Sequence, residues 1–174
     1  MNYRKAIYKD IEDISNLVTD LLGTCNLSSN KSVLESNIEE ISKTIDNYYV
    51  CVDNNKIVGA CGISDVQKQD NYNLNLKSIR EILYLVVDKE YQGKGIGTTL
   101  LELCSNSNQN NIIYEAWGDN GKYANSKFIL ERCGYVLLKD LGKNYYKEHH
   151  YCTKCVNRNK ECNECIAQIW IKYK

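Results

Sequence analysis

Proline is absent from this 174-residue sequence, its 22 basic and 22 acidic residues cancel, and no long apolar run is present. Zero net charge excludes a chain built as a whole to hold nucleic acid or an anionic membrane. No apolar run approaches the roughly 20 residues that span a bilayer, and the start, MNYRKAIYKD, carries charges where a signal peptide needs its apolar stretch. A cytoplasmic protein without a membrane partner is the expectation. The missing proline, beside abundant asparagine, lysine and isoleucine, reads as the coding bias of an AT-rich bacterial genome more than as a structural choice. No repeat or low-complexity linker stands out. The length allows one full core and not two ordinary domains.

Nine cysteines are present in what is expected to be a reducing compartment, where metal ligation or burial explains them better than disulfides do. Cys25, Cys51, Cys61, Cys104 and Cys133 are scattered in apolar surroundings and read as core thiols. The other four, Cys152, Cys155, Cys162 and Cys165, cluster near the end.

Asn2 to Ala6 suits a first strand, and Asp10 can cap a helix whose apolar positions run Ile11, Ile14, Leu17, Val18 and Leu21. A second helical pattern spans Val33 to Ile45. Tyr48–Val52 and Ile57–Ile63 read as strands joined by an Asn-rich hairpin turn, and Ile79–Val87 as a central strand. After a glycine loop and a helix to about Ser107, the expectations are a strand at Ile112–Trp117, a helix at Lys122–Arg132 ended by Gly134, and short strands at Tyr135–Leu138 and Tyr145–Tyr151. The fold class is mixed α/β (α+β): a domain of residues 1–151 with a central sheet flanked by helices, then a Cys-rich tail of residues 152–174.

The loop Gln92-Gly93-Lys94-Gly95-Ile96-Gly97 follows the central strand and opens a helix. Such an arrangement holds phosphate, because the first helical turn offers free N–H groups and a partial positive charge. A Walker loop needs Gly-Lys-Ser/Thr, but Gly95 follows Lys94; a dinucleotide fingerprint needs a third glycine where Thr98 stands. The loop does fit the Gln/Arg-x-x-Gly-x-Gly/Ala pattern, and with Val58-Gly59-Ala60-Cys61-Gly62 and Phe128 to Tyr135 the sequence resembles the GNAT N-acetyltransferase family over residues 1–151.

The resemblance implies a GNAT-like acyl-CoA fold and an enzyme that moves an acetyl group from acetyl-CoA to a small-molecule or peptide amine. It implies that the backbone of Gln92, Gly93, Lys94, Gly95, Ile96, Gly97 and Thr98 wraps the pyrophosphate. The preceding strand, through Leu85, Val86 and Val87, would meet the pantetheine arm, and an N–H near Leu85 or Val86 would polarise the thioester. Glu81, eleven positions before Gln92, takes the general-base role by its offset; its bland reading is a solvated carboxylate paired with Arg80. The family's usual tyrosine acid is replaced by Leu130, and Tyr123, seven residues earlier on a helix, would share its face. Tyr123 is then either a substitute acid or a packing aromatic. Asp119 is either a seat for a cationic amine or a helix cap. The acceptor would be chosen by Leu22–Ser32 and Gln67–Lys77.

Cys152-x-x-Cys155 and Cys162-x-x-Cys165 form two knuckles suited to one structural zinc, with an iron–sulfur cluster as the other metal reading, and Ile166–Ile171 is expected as a short terminal helix. A homodimer is compatible with the sequence, and nucleic acid is not an expected partner. The alternative to an enzyme is a non-catalytic acyl-CoA-binding regulator whose tail docks a partner.

Overall fold

The computed structural model describes residues 1–26, 32–65, 78–119, 121–152 and 165–174. In chain order the elements are β1 (Asn2–Lys5), α1 (Ile11–Leu21), β2 (Thr24–Asn26), α2 (Val33–Thr44), β3 (Tyr48–Asp53), β4 (Lys56–Asp65), β5 (Ile79–Val87) and α3 (Ile96–Asn106). There follow β6 (Asn111–Gly118), α4 (Lys127–Arg132), β7 (Val136–Lys143), α5 (Tyr145–His149), β8 (His150–Cys152) and β9 (Ile166–Lys172). A seven-stranded mixed sheet runs β1-β3-β4-β5-β6-β9-β7, in which β5 and β6 are parallel and the other neighbours antiparallel. Among the described residues no helix is long and apolar enough to cross a membrane.

Local chemistry accounts for these elements. The Ser32 hydroxyl accepts the Glu35 N–H at 3.3 Å while the Glu35 carboxylate accepts the Ser32 N–H at 2.8 Å, a reciprocal cap that starts α2. Asn54 and Asn55, with φ of 47° and 65°, turn the β3–β4 hairpin as an asparagine pair can. Helices α1 and α2 bury Ile14, Val18 and Ile41 against Tyr48, Val50, Ala60 and Val86 on one sheet face. Helix α3, with Leu130 of α4, packs Ile96, Leu100, Leu101 and Cys104 on the other, against Cys61, Ile82, Ile112 and Ala116. Ile113, Ile169 and Ile171, which alternate with these, pack with Leu138, Leu141 and Tyr145 on the α1–α2 side of the far half of the sheet. Cys51, Cys61, Cys104 and Cys133 are buried free thiols, as expected, and burial pushes the Cys61 thiol up. The side chain of Cys25 lies outside the described residues.

Several expectations are corrected. Ile166–Ile171 is not a helix but most of β9, paired to β6 on one side and β7 on the other. Its residues are buried on both faces, which is the signature of a central strand and which periodicity alone does not separate from a buried helix. The chain from Ile166 onward therefore belongs to the sheet rather than to an appendage. Tyr145–His149 is one helical turn, not a strand: the Tyr145 and His149 rings stack at 4.2 Å, an i, i+4 contact that an extended strand cannot make. Within the next stretch, His150–Cys152 pairs with β2, a strand that the sequence did not suggest. Helix α4 begins at Lys127, five residues later than expected, and β7 runs on to Lys143.

Asp10 also differs from its expected role, for its carboxylate makes no cap bond to α1. It accepts two bonds from the Arg4 guanidinium, at 2.6 and 3.0 Å, and the Ile7 N–H at 2.8 Å, with its side chain 6% exposed. Arg4 holds the Asp10 carboxyl below its ordinary value. A depressed folded value means stability that is present above the unfolded pKa, roughly 4, and is lost as pH falls through the lower folded value. Asp10→Asn is expected to cost about 2–3 kcal/mol at neutral pH. Denaturant titrations of both proteins at neutral pH and in acid should show the difference shrinking in acid.

Candidate functional site

The site begins where two strands part. β5 and β6 pair only at Ile79↔Asn111, Arg80↔Ile112 and Glu81↔Ile113, although β5 continues to Val87 and β6 to Gly118. Beyond Glu81 a wedge opens toward the C-terminal ends of both strands. A bulge accompanies the parting: Gly62 of β4 faces Tyr84 and Ile63 faces Ile82, so Leu83 is the extra residue. Such a residue is left out of the ladder and bends its strand. The alternation along β5 shifts with it, for Ile82, Leu85 and Val87 join the α3 core while Leu83, Tyr84 and Val86 join the α1–α2 core.

At the open end of β5 the glycine loop turns into α3. Gly93 and Gly95 have φ of 76° and 80°, the left-handed region where a side chain is strained, and a Cβ on either would meet nothing within 4 Å. Gly95 is the N-cap of α3 and supplies no side-chain cap, so the first N–H groups of the helix face outward from bare backbone. Gly97 lies where a Cβ would sit 3.6 Å from Val87 and 3.5 Å from Ile129, so the helix starts between the end of β5 and α4.

The loop is braced from below. Gln92 donates its amide N–H to the Val87 carbonyl at 3.0 Å, and the Lys56 ammonium meets the Asp88 carboxylate at 2.7 Å, which raises the lysine and lowers the aspartate. Tyr91 donates to Asp53 at 3.1 Å, and that bond raises the Tyr91 phenol; Lys94 lies 4.6 Å above the Tyr91 ring.

Glu81 is partly buried at the apex of the wedge, on the α1–α2 side like Ile79 and Ile113. Arg80 reaches Asn108 at 2.6 Å and Asp65 at 3.2 Å. On the same face lies a carboxylate that the sequence reading passed over: Glu115 of β6, two residues beyond Ile113, which accepts the Tyr145 hydroxyl at 3.2 Å. Alternation in Ile112–Trp117 could have placed Glu115 on that face; the strand pairing needed to bring it to Glu81 is long-range. Tyr84, on the β5 wall, donates to Glu40 of α2 at 2.5 Å.

Tyr123 stands elsewhere than expected. It lies in the connection before α4, edge-on to Phe128 at 5.8 Å, and so does not share a helical face with Leu130. It lines a cavity of about 530 Å³ with Lys127, Tyr135, Val136, Asp140 and Trp170, which includes no residue of β5 or of the glycine loop. Leu130 is buried in the core. Asp119 does not cap α4, whose N-cap is Ser126.

Cys155 and Cys162 lie outside the described residues, as do the side chain of Cys152 and most of the expected acceptor loops. Cys165, just before β9, accepts the Trp117 indole N–H at 2.9 Å. No group of three or more His, Cys, Asp or Glu placed to hold a metal is found among the described residues.

Comparison with known proteins agrees with this fold. The chain matches the family model for an acetyltransferase (GNAT) domain over residues 44–151. No curated relative matches by sequence. The fold is similar to an N-acetyltransferase from Staphylococcus aureus Mu50, with a TM-score of 0.63 and 14% identity over 99% of this chain and 100% of that one. It is similar to a chain of the NatC complex bound to Gag peptide and CoA (TM-score 0.66, 18% identity, 99% of this chain and 98% of that one). An aminoglycoside 6'-N-acetyltransferase complexed with coenzyme A also matches, with a TM-score of 0.63 and 14% identity over 99% and 96% of the two chains.

Proposed function

Because the chain belongs to the GNAT acetyltransferase family and is an acyltransferase, we propose that it moves an acetyl group from acetyl-CoA directly to a primary amine. The observation that carries this reading is the parting of β5 from β6 beyond Glu81, with the glycine loop at the open end and a carboxylate at the apex. The pyrophosphate lies against Gln92 to Thr98, where bare N–H groups and the helix dipole favour negative charge. The pantetheine arm follows Leu85, Val86 and Val87 into the wedge from the α3 side. The amine enters from the α1–α2 side. Two solved structures with similar folds, the NatC complex and the aminoglycoside acetyltransferase, hold CoA.

An ammonium has no lone pair, so the acceptor must lose a proton before it attacks. Glu81 takes that proton; the nitrogen bonds to the thioester carbon, and a β5 backbone N–H in the bulged stretch from Leu83 to Val86 steadies the oxyanion. The C–S bond then breaks, the nitrogen gives up its second proton, and that proton passes through water to the departing CoA thiolate, so the products are the amide and the CoA thiol and the leucine at position 130 does not stop the reaction. Tyr123, in its own cavity, has no step in this scheme.

We also propose that Cys152, Cys155, Cys162 and Cys165 bind one structural zinc, on the strength of their spacing. Elemental analysis of the purified full chain should find one zinc per molecule; a protein without zinc, whether or not it holds iron, would overturn it.

The transfer reading is tested by incubating the protein with acetyl-CoA and a mixed panel of polyamines, aminoglycosides, amino acids and short peptides, read by mass spectrometry. An acceptor heavier by one acetyl group is the expected result. CoA binding with no acetylated product would favour the regulator instead.

A further inference from the structure

Across the wedge from Glu81, one stretch of β6 combines a carboxylate with exposed aromatic surface. Ile113, Glu115 and Trp117 alternate onto the α1–α2 side, paired there with Ile171, Ile169 and Ala167 of β9. Trp117 is 39% exposed although it sits in a sheet whose neighbours are buried. Its indole is held by the 2.9 Å bond to Cys165, and Glu115 is held by Tyr145, whose ring is itself stacked on His149 at 4.2 Å. Tyr146 donates to the Glu115 carbonyl at 3.4 Å, so α5 braces this wall through two adjacent tyrosines. The transfer step needs no exposed indole, and Trp117 is not in the core.

A carboxylate beside an electron-rich ring attracts a cation twice, through its charge and through the ring quadrupole. We infer that Glu115 and Trp117 form a seat for a second ammonium of the acceptor, which makes the acceptor a linear diamine or polyamine. Strand rise sets the spacing: Glu81 is level with Ile113, Glu115 lies two residues further, and Trp117 two further still. At about 3.3 Å per residue, the seat is roughly 7–13 Å from the reacting nitrogen. An extended aliphatic chain spans that gap, whereas a single-charged amine leaves the seat empty. This inference rests on the amine-transfer reading above.

Hexamethylenediamine and hexylamine serve as matched probes, alike in length and different in the second charge. With the full chain and acetyl-CoA, the diamine should be acetylated with a kcat/KM about tenfold higher or more, a preference that weakens as salt rises. In Trp117→Leu and in Glu115→Gln the ratio of the two should fall toward one, with acetyl-CoA titration confirming that the cofactor site is intact. A second readout needs no turnover: in the absence of acetyl-CoA, the diamine should quench the fluorescence of Trp117, and the quenching should vanish in Trp117→Leu, where buried Trp170 is the remaining tryptophan. Quenching without transfer to any amine would keep the seat and reject the transfer reading. Equal efficiency for the two probes, a preference for a peptide, or no quenching would overturn the seat.

Discussion

Glu81→Gln is expected to lower kcat by about a hundredfold or more while changing the acetyl-CoA Kd by less than about twofold. The substitution keeps the shape of the side chain at the apex of the wedge and removes only its ability to take a proton. Glu81 sits on the rung where β5 last pairs with β6, and the glycine loop lies beyond the far end of β5, so acetyl-CoA binding at the loop should be undisturbed. Glu115→Gln, on the opposite wall, should instead act mainly on the KM of the acceptor. Steady-state kinetics of the two variants separates the roles. Unchanged kcat in Glu81→Gln would remove this residue from the chemistry.

Gly95→Ala is expected to have the second large effect, a loss of about 1–2 kcal/mol of stability together with acetyl-CoA binding weakened tenfold or more. The stability loss follows from a left-handed residue, φ 80°, that an added Cβ strains whatever the space around it. The binding loss is expected because that Cβ would stand in open space at the N-terminus of α3, where the proposed reading places the pyrophosphate. Gly97→Ala is the informative contrast. Gly97 is helical and its added methyl meets Val87 and Ile129 at ordinary contact distances, so the fold should be unharmed or slightly stabilised. Melting curves and isothermal titration with acetyl-CoA measure both effects on both variants.

The parts legible in the sequence are those written locally. A cap and a helical period mark α2, an asparagine pair marks the β3–β4 turn, and a glycine-rich stretch after an apolar run marks the loop. The β9 strand was illegible because an apolar run buried on both faces has no period to read, and its partners lie about 50 residues upstream in β6 and 30 in β7. The wedge and the bulge at Leu83 are properties of pairing between strands, and no single segment encodes them. Glu115 was missed for the same reason: as one acidic residue in a strand it carries no signal until Tyr145 and the parting of β5 from β6 give it a setting. Tyr123 differs from its expected place because the helix expected over Lys122–Arg132 begins only at Lys127. Gly118 shows why the chain turns there instead: a Cβ on it would come 2.2 Å from the Tyr123 carbonyl oxygen, so the connection folds back against the end of β6.

Hydrogen exchange read by mass spectrometry, with and without acetyl-CoA, reports where the cofactor lies without requiring an acceptor. Protection should appear in the second half of β5, residues 82–87, and in the loop and first turn of α3, residues 92–99, with β1 and β3 unchanged. Protection confined to the Tyr123–Asp140 cavity, or none at the glycine loop at saturating acetyl-CoA, would contradict that placement of the cofactor.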